Sequence, residues 1–328
     1  MLTTKAGRAE TWARRLALRS PWTNVYGLAR TIVASATALT LITSSPDSLW
    51  SPFRPGETQP LGCKGLRGEI GLFCIFPPAT LPVVHVVTIV ALLVIASGWR
   101  PRYTGVVHWW ISFSFLATAT LDGGEQVAAL LTLFLVPWTL TDPREWHWQS
   151  PPEVIGSRMK SSFVANVSWG LVRLQVMVVY LHSAWTKLEV REWTHGTAIY
   201  YWTHDTSVGL PSHFSGLVAP LIESRPVIAA LTWGAIAGEL LLVVAIAAPK
   251  RFWPFLFWLG VAFHTAIALG IGVVSFSLTM IGALIVYLWP VDSEFVWLRG
   301  TRRGVREPAA APTAAPDIPP AGTAPPLP

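Results

Sequence analysis

The chain reads as an all-α, polytopic integral membrane protein of about eight transmembrane helices. Three observations predict this. Its 328 residues are 52% hydrophobic and only 13% charged, where soluble domains carry about 25% charge, and mean hydropathy is +0.47. Apolar runs of membrane length, roughly 20 residues each, recur along it. Most of the 18 Trp, among them Trp22, Trp50, Trp99, Trp138, Trp253 and Trp289, stand near the ends of those runs, as interfacial anchors do.

The first run, about 24–44, follows a basic stretch containing Arg14-Arg15-Leu16, a loose twin-arginine start. Arg30 interrupts the apolar region and many more runs follow, so this is an uncleaved first span rather than a signal peptide. A loop of 45–80 leads to spans at about 81–98, 105–121 and 126–141. A loop of 142–162 precedes the fifth, 163–188. A longer one, 189–225, precedes three more at 226–248, 252–272 and 273–289. The tail 307–328 is rich in Ala and Pro with one acid, Asp317, and cannot build a core. The expected organisation is an N-terminal segment 1–23, a transmembrane domain 24–290 and a basic, disordered tail 291–328.

Charge orients the bundle. With the N-terminus inside, sixteen of the 24 Lys and Arg fall in inside segments, five outside, and Arg30, Arg173 and Lys187 within spans. That bias puts both termini in the cytoplasm of a plasma-membrane protein. The net charge of +6 is then a topology signal. The bilayer, not nucleic acid, is the expected surrounding partner. Cys63 and Cys74 both lie in the first outside loop, a compartment that permits disulfides. A structural bond between them is expected in preference to two free thiols, since nothing else in that loop uses thiols.

The fifth span holds the candidate site. It carries Arg173, Gln175, Tyr180, His182 and Lys187, and an ionisable group at membrane depth costs at least about 2.5–3.5 kcal/mol on insertion scales. Arg173, Tyr180 and Lys187 recur every seven residues and share one helix face. Gln175 and His182 form a second polar stripe about 200° away. A helix with two polar stripes is expected to be central. Counting about 1.5 Å per residue from the inner ends, Arg173, Glu239 and His264 lie at similar depth. This suggests an Arg173–Glu239 clasp, structural or functional, with His264 beside it. Lys187 lies near the outer end of its span. Spacing alone favours snorkelling to the interface; the functional alternative is a base with a pKa lowered by partial burial.

In the loop 189–225, His195, His204 and His213 recur at intervals of nine. That interval opposes neighbours on a helix and Pro211 breaks one, so no metal site is expected. Tyr200-Tyr201-Trp202 reads as a segment on the membrane surface or a lining for a flat lipophilic ligand. Nucleotide-binding, serine-hydrolase and zinc-protease motifs are absent.

Several residues together resemble a known family. Tyr180, Lys187-Leu188, Trp193 and Gly196-Thr197-Ala198 are similar to the central motif of the HTTM membrane domain, which includes the vitamin K-dependent gamma-carboxylases. Phe263-His264, Ser275-Phe276-Ser277 and Met280-Ile281 resemble its second motif. Asp122-Gly123-Gly124-Glu125-Gln126, Pro137, Thr141-Asp142-Pro143-Arg144 and His147-Trp148 resemble the SdpB branch. The resemblance implies an HTTM-like bundle over roughly 20–290, with Lys187 and His264 catalytic and a quinone as one candidate for an otherwise unidentified cofactor. The residues expected beside such a ligand are Tyr180, His182, Trp193, Tyr200 and Tyr201. For the SdpB branch it implies maturation or export of a secreted antimicrobial peptide with an SdpA-like partner. The chain lacks the large outside domain of the carboxylases, which speaks against glutamate carboxylation. Two other readings stand beside peptide maturation: a quinone-dependent enzyme acting on peptide or lipid, and a non-catalytic binding or immunity protein.

Overall fold

The computed structural model describes residues 2–50, 63, 65–118, 123–205, 209–210, 216, 220–290 and 293–295. Asp122, His213 and the tail from 296 lie outside the described residues. Helix dominates. The described residues contain no strand beyond one antiparallel bridge between Trp99 and Trp146. The long helices are α1 (Leu2–Leu18), α2 (Asn24–Thr43), α3 (Leu81–Ser97), α4 (Pro101–Thr118) and α5 (Gly123–Thr141). They continue with α6 (Arg158–Leu188), α7 (Arg225–Val244), α8 (Trp253–Ile271) and α9 (Val274–Leu288).

Among the described residues, six helical segments are long and apolar enough to cross a membrane: α2, α3 with its leading turn, α5, α6, α7, and α8 with its leading turn. The other two expected spans fall short for different reasons. Helix α4 carries Arg102, Thr104, His108, Ser112 and Ser114. Helix α9 has only 15 residues, about 22 Å of helix against a hydrocarbon core of about 30 Å. Yet α9 is the most enclosed of all, with every residue from Gly282 to Leu288 buried. It packs between α2, α5 and α8. Contact with α8 is close, since a Cβ on Gly260 would meet Leu284 at 2.7 Å.

The expectation that α6 is central is corrected. Leu171, Leu174, Val178, Leu181 and Trp185 are exposed, spaced three and four apart, and form an outward apolar stripe. The Arg173–Tyr180–Lys187 stripe faces inward. Gln175 is buried but His182 is exposed, so the second polar stripe does not hold. Helix α3 is still more open. Its Val83, Val86, Val87, Val90 and Leu93 are exposed, a surface suited to lipid.

Side chains close the helix ends. Asn166 Nδ2 donates to the carbonyls of Leu16 (3.0 Å) and Arg19 (2.9 Å), and Ser162 Oγ donates to Arg19 as well. These bonds satisfy carbonyls left over at the end of α1. Asn24 exchanges two 2.8 Å bonds with the backbone of Phe295 and ties the chain after α9 to the start of α2. At the opposite end of the bundle a disulfide joins Cys63 and Cys74, with Cα atoms 5.5 Å apart. It sits near a cluster in which Trp50 packs on Phe73, His85 and Phe115.

Candidate functional site

Residues 173, 180 and 187 point into the bundle and meet three different partners. Lys187 Nζ lies 2.8 Å from Glu239 Oε1 and donates to Ser183 Oγ at 2.6 Å. Ser183 Oγ in turn donates to the same carboxylate oxygen at 2.9 Å, closing a triangle. Nζ also stands 5.0 Å from the centroid of the Trp193 ring. The lysine side chain keeps 19% of its surface and the glutamate 6%, so the pair is reached from the lysine side. Glu239 Oε2 is buried without a protein partner among the described residues.

One layer deeper, Tyr180 Oη and His264 Nε2 share a 2.9 Å hydrogen bond. Both residues are 1% exposed. The rings of Phe263 and Phe276 pack against the imidazole, whose Nδ1 has no protein partner among the described residues. Local sequence accounts for the placement. On α7 the buried Thr232, Ile236 and Glu239 fall on one face by their spacing of four and three. On α8 Leu256, Gly260 and His264 do the same at intervals of four.

The segment after α6 folds back as two short helices, Arg191–Thr194 and Ala198–Thr203. Gly196 makes the turn between them. Its φ is +73°, and a Cβ there would stand 3.3 Å from that of Ala229. Ala198 is buried, and Ile199 N–H donates to Thr232 Oγ1 at 3.3 Å. The Gly196-Thr197-Ala198 run thus seats the segment on α7, and Trp193 is carried to the lysine.

The expected Arg173–Glu239 clasp is corrected: Glu239 is taken by Lys187. Arg173 Nε donates to the Tyr287 carbonyl at 2.9 Å, and its guanidinium lies 4.5 Å from the Trp253 ring and 5.0 Å from Trp169. Equal counts from helix ends give equal depth only where the ends are level. Helix α6 has 31 residues and α7 has 20, and Glu239 falls opposite the last turn of α6. Of the residues expected beside a cofactor, Tyr180 and Trp193 belong to the site. His182, Tyr200 and Tyr201 are exposed outside it, and Tyr200 packs against His204 and meets Tyr201 edge-on instead. His195 and His204 are also exposed. No group of three His, Cys, Asp or Glu suited to a metal occurs among the described residues. Sequence reasoning missed Ser183, although a hydroxyl four residues before the lysine lies on its helix face. It also missed the polar cluster around Arg30, which it read only as an interruption.

Fold and site together define a polytopic helical membrane protein whose interior holds a lysine–carboxylate pair beside a tyrosine–histidine pair. The chain belongs to the SdpB family. It is 36% identical over 278 residues to sporulation-delaying protein SdpB of Bacillus subtilis (strain 168), covering 84% of each chain. It is 39% identical over 286 residues to the uncharacterized protein YitO of the same organism, covering 86% of this chain and 91% of that one. No protein-family model matches the chain, and no solved structure matches it.

Proposed function

We propose that the chain takes part in maturing or exporting a secreted antimicrobial peptide at the plasma membrane, together with an SdpA-like partner and the peptide precursor. Kinship with a sporulation-delaying protein supports the pathway. In this reading 1–23 and 291–328 are cytoplasmic, 24–290 is the membrane domain, and the Cys63–Cys74 end faces outside. The positive-inside bias and the disulfide support that orientation. Thiol labelling of intact cells after reduction tests it, and labelling that needs permeabilised cells would reverse it.

The observation that carries the functional reading is the ion pair at the end of α6. Lys187 is held by Glu239 and Ser183, yet stays partly open at the same end as the disulfide. A lysine that only snorkels needs neither partner. In this reading Lys187 is the base that takes a proton from the substrate, and Glu239 and Ser183 hold its amine in place. Tyr180 and His264 set the polarity of the inner wall. Deleting the gene from producer cells should remove the mature peptide from the medium by mass spectrometry, and the wild-type gene should restore it. Unchanged peptide in the deletion strain refutes the reading. Quinone-linked chemistry is a second reading, favoured by the flat wall that Trp193 gives the amine at 5.0 Å. A lipid extract of the purified protein would reveal a co-purifying quinone, and an extract free of quinone counts against it.

A further inference from the structure

At the end of the bundle away from the disulfide, the segment 142–149 folds over α2 and α4. It includes the Asp142, Arg144 and His147 of the motif noted above. Arg144 is fully engaged there. Its Nε and Nη2 donate to the two Asp142 carboxylate oxygens at 2.9 and 2.8 Å. Its Nη1 donates to the carbonyls of His147 (2.8 Å) and Gln149 (2.9 Å). This pair is neutral and satisfied.

Arg30 is in the opposite condition. It is 0% exposed and sits about 9 Å into α2, six residues past Asn24. Nη2 donates to Thr104 Oγ1, while Nε and Nη1 have no protein partner among the described residues. Three more polar atoms around it are buried without one: Tyr26 Oη, His108 Nε2 and His147 Nδ1. The Tyr26 and His147 rings meet edge-on with centroids 6.3 Å apart, and none of the three residues is more than 1% exposed. Spacing brings them together: Tyr26 and Arg30 are four apart on α2, and Thr104 and His108 are four apart on α4. His147 enters where two glycines make room. A Cβ on Gly98 would meet its ring at 2.3 Å and one on Gly27 at 2.9 Å.

The cluster thus carries one uncompensated positive charge, with the Nε and Nη1 hydrogens of Arg30 unused. His147 contributes no donor there: Thr31 Oγ1 gives its own hydrogen to Ala96 O and accepts from His147 Nε2. The acid that faces it, Asp142, is already chelated by Arg144. A guanidinium does not escape by losing its proton, and a buried charge needs a counter-charge. We propose that Arg30, with Tyr26 and His108, binds one small monovalent anion, a halide or small carboxylate, inside the bundle. One negative charge neutralises the site, and its enclosure excludes anything large.

The test uses full-length protein in detergent, with thermal unfolding followed as sodium chloride replaces sodium gluconate at constant ionic strength. The midpoint should rise and then saturate with chloride, as ligand linkage requires, and bromide and formate should act alike while sulfate does not. Arg30→Gln should abolish the dependence. Tyr26→Phe removes one donor to a charged acceptor and should raise the half-saturating chloride about tenfold. Should Arg30→Gln fail to fold, Tyr26→Phe decides. A wild-type midpoint indifferent to chloride overturns the proposal, as does a chloride dependence unchanged in Tyr26→Phe.

Discussion

A lysine one residue from a helix end ordinarily reaches out to water. Lys187 reaches back to Glu239 and Ser183. Removing one member leaves the other charged in a mostly closed space. Glu239→Gln and Lys187→Met should each destabilise the detergent-solubilised protein by about 3 kcal/mol, the low end for breaking a buried pair because the lysine is partly open. The double variant should lose less than the two singles combined. Additive losses would show that the pair contributes no coupling. The heptad spacing of Arg173, Tyr180 and Lys187 revealed their shared inward face. Their partners were not legible, because those depend on how far each helix is shifted along its neighbour, and spacing within one helix carries no such information. A second residue reports on pH. Burial, then the charges of Arg30 and Arg144, hold the His147 imidazole well below its ordinary range. The unfolded chain takes up a proton near pH 6.5 and the folded one does not. The contribution is therefore present above that pH and lost as pH falls, by about 1.4 kcal/mol per pH unit. Denaturation between pH 7.5 and 5 should show a shallower slope for His147→Gln than for wild type, and equal slopes would contradict the assignment.

Among the elements, the segment after α6 is the least regular and the most closely fitted. Gly196 adopts the left-handed conformation against Ala229, which costs an L residue about 1–2 kcal/mol before any crowding. Gly196→Ala should lower the unfolding midpoint and loosen Trp193 from Lys187, read as a red-shifted, more quenchable Trp emission. Gly234→Ala, in open space on α7, should be neutral or slightly stabilising by helix propensity. Equal behaviour of the two variants would mean that the turn at Gly196 does not position the segment. Helix existence was readable from apolar length. The role of each helix was not. The stripe at Leu171, Leu174, Val178, Leu181 and Trp185 has the spacing of a lipid-facing side, but the polar residues interleaved with it on α6 hide it in the sequence. The enclosure of α9 arises from its neighbours, since its composition matches that of a lipid-facing span.

For the whole molecule, the bundle separates two polar interiors. Around Arg30 the groups are fully closed off and carry a net charge. Around Lys187 they are neutral as a pair and partly open, which suits chemistry on a molecule arriving from that side. The central claim is that Lys187 acts as a base rather than as an anchor. Arginine keeps the positive charge and the reach of lysine but does not release its proton at any usable pH. The deciding measurement is the amount of mature peptide, by mass spectrometry of the medium, from cells carrying Lys187→Arg with normal protein level and membrane insertion. The account predicts a fall of about 100-fold or more, the typical contribution of a positioned base. A yield equal to wild type would contradict it and leave Lys187 as a structural partner of Glu239.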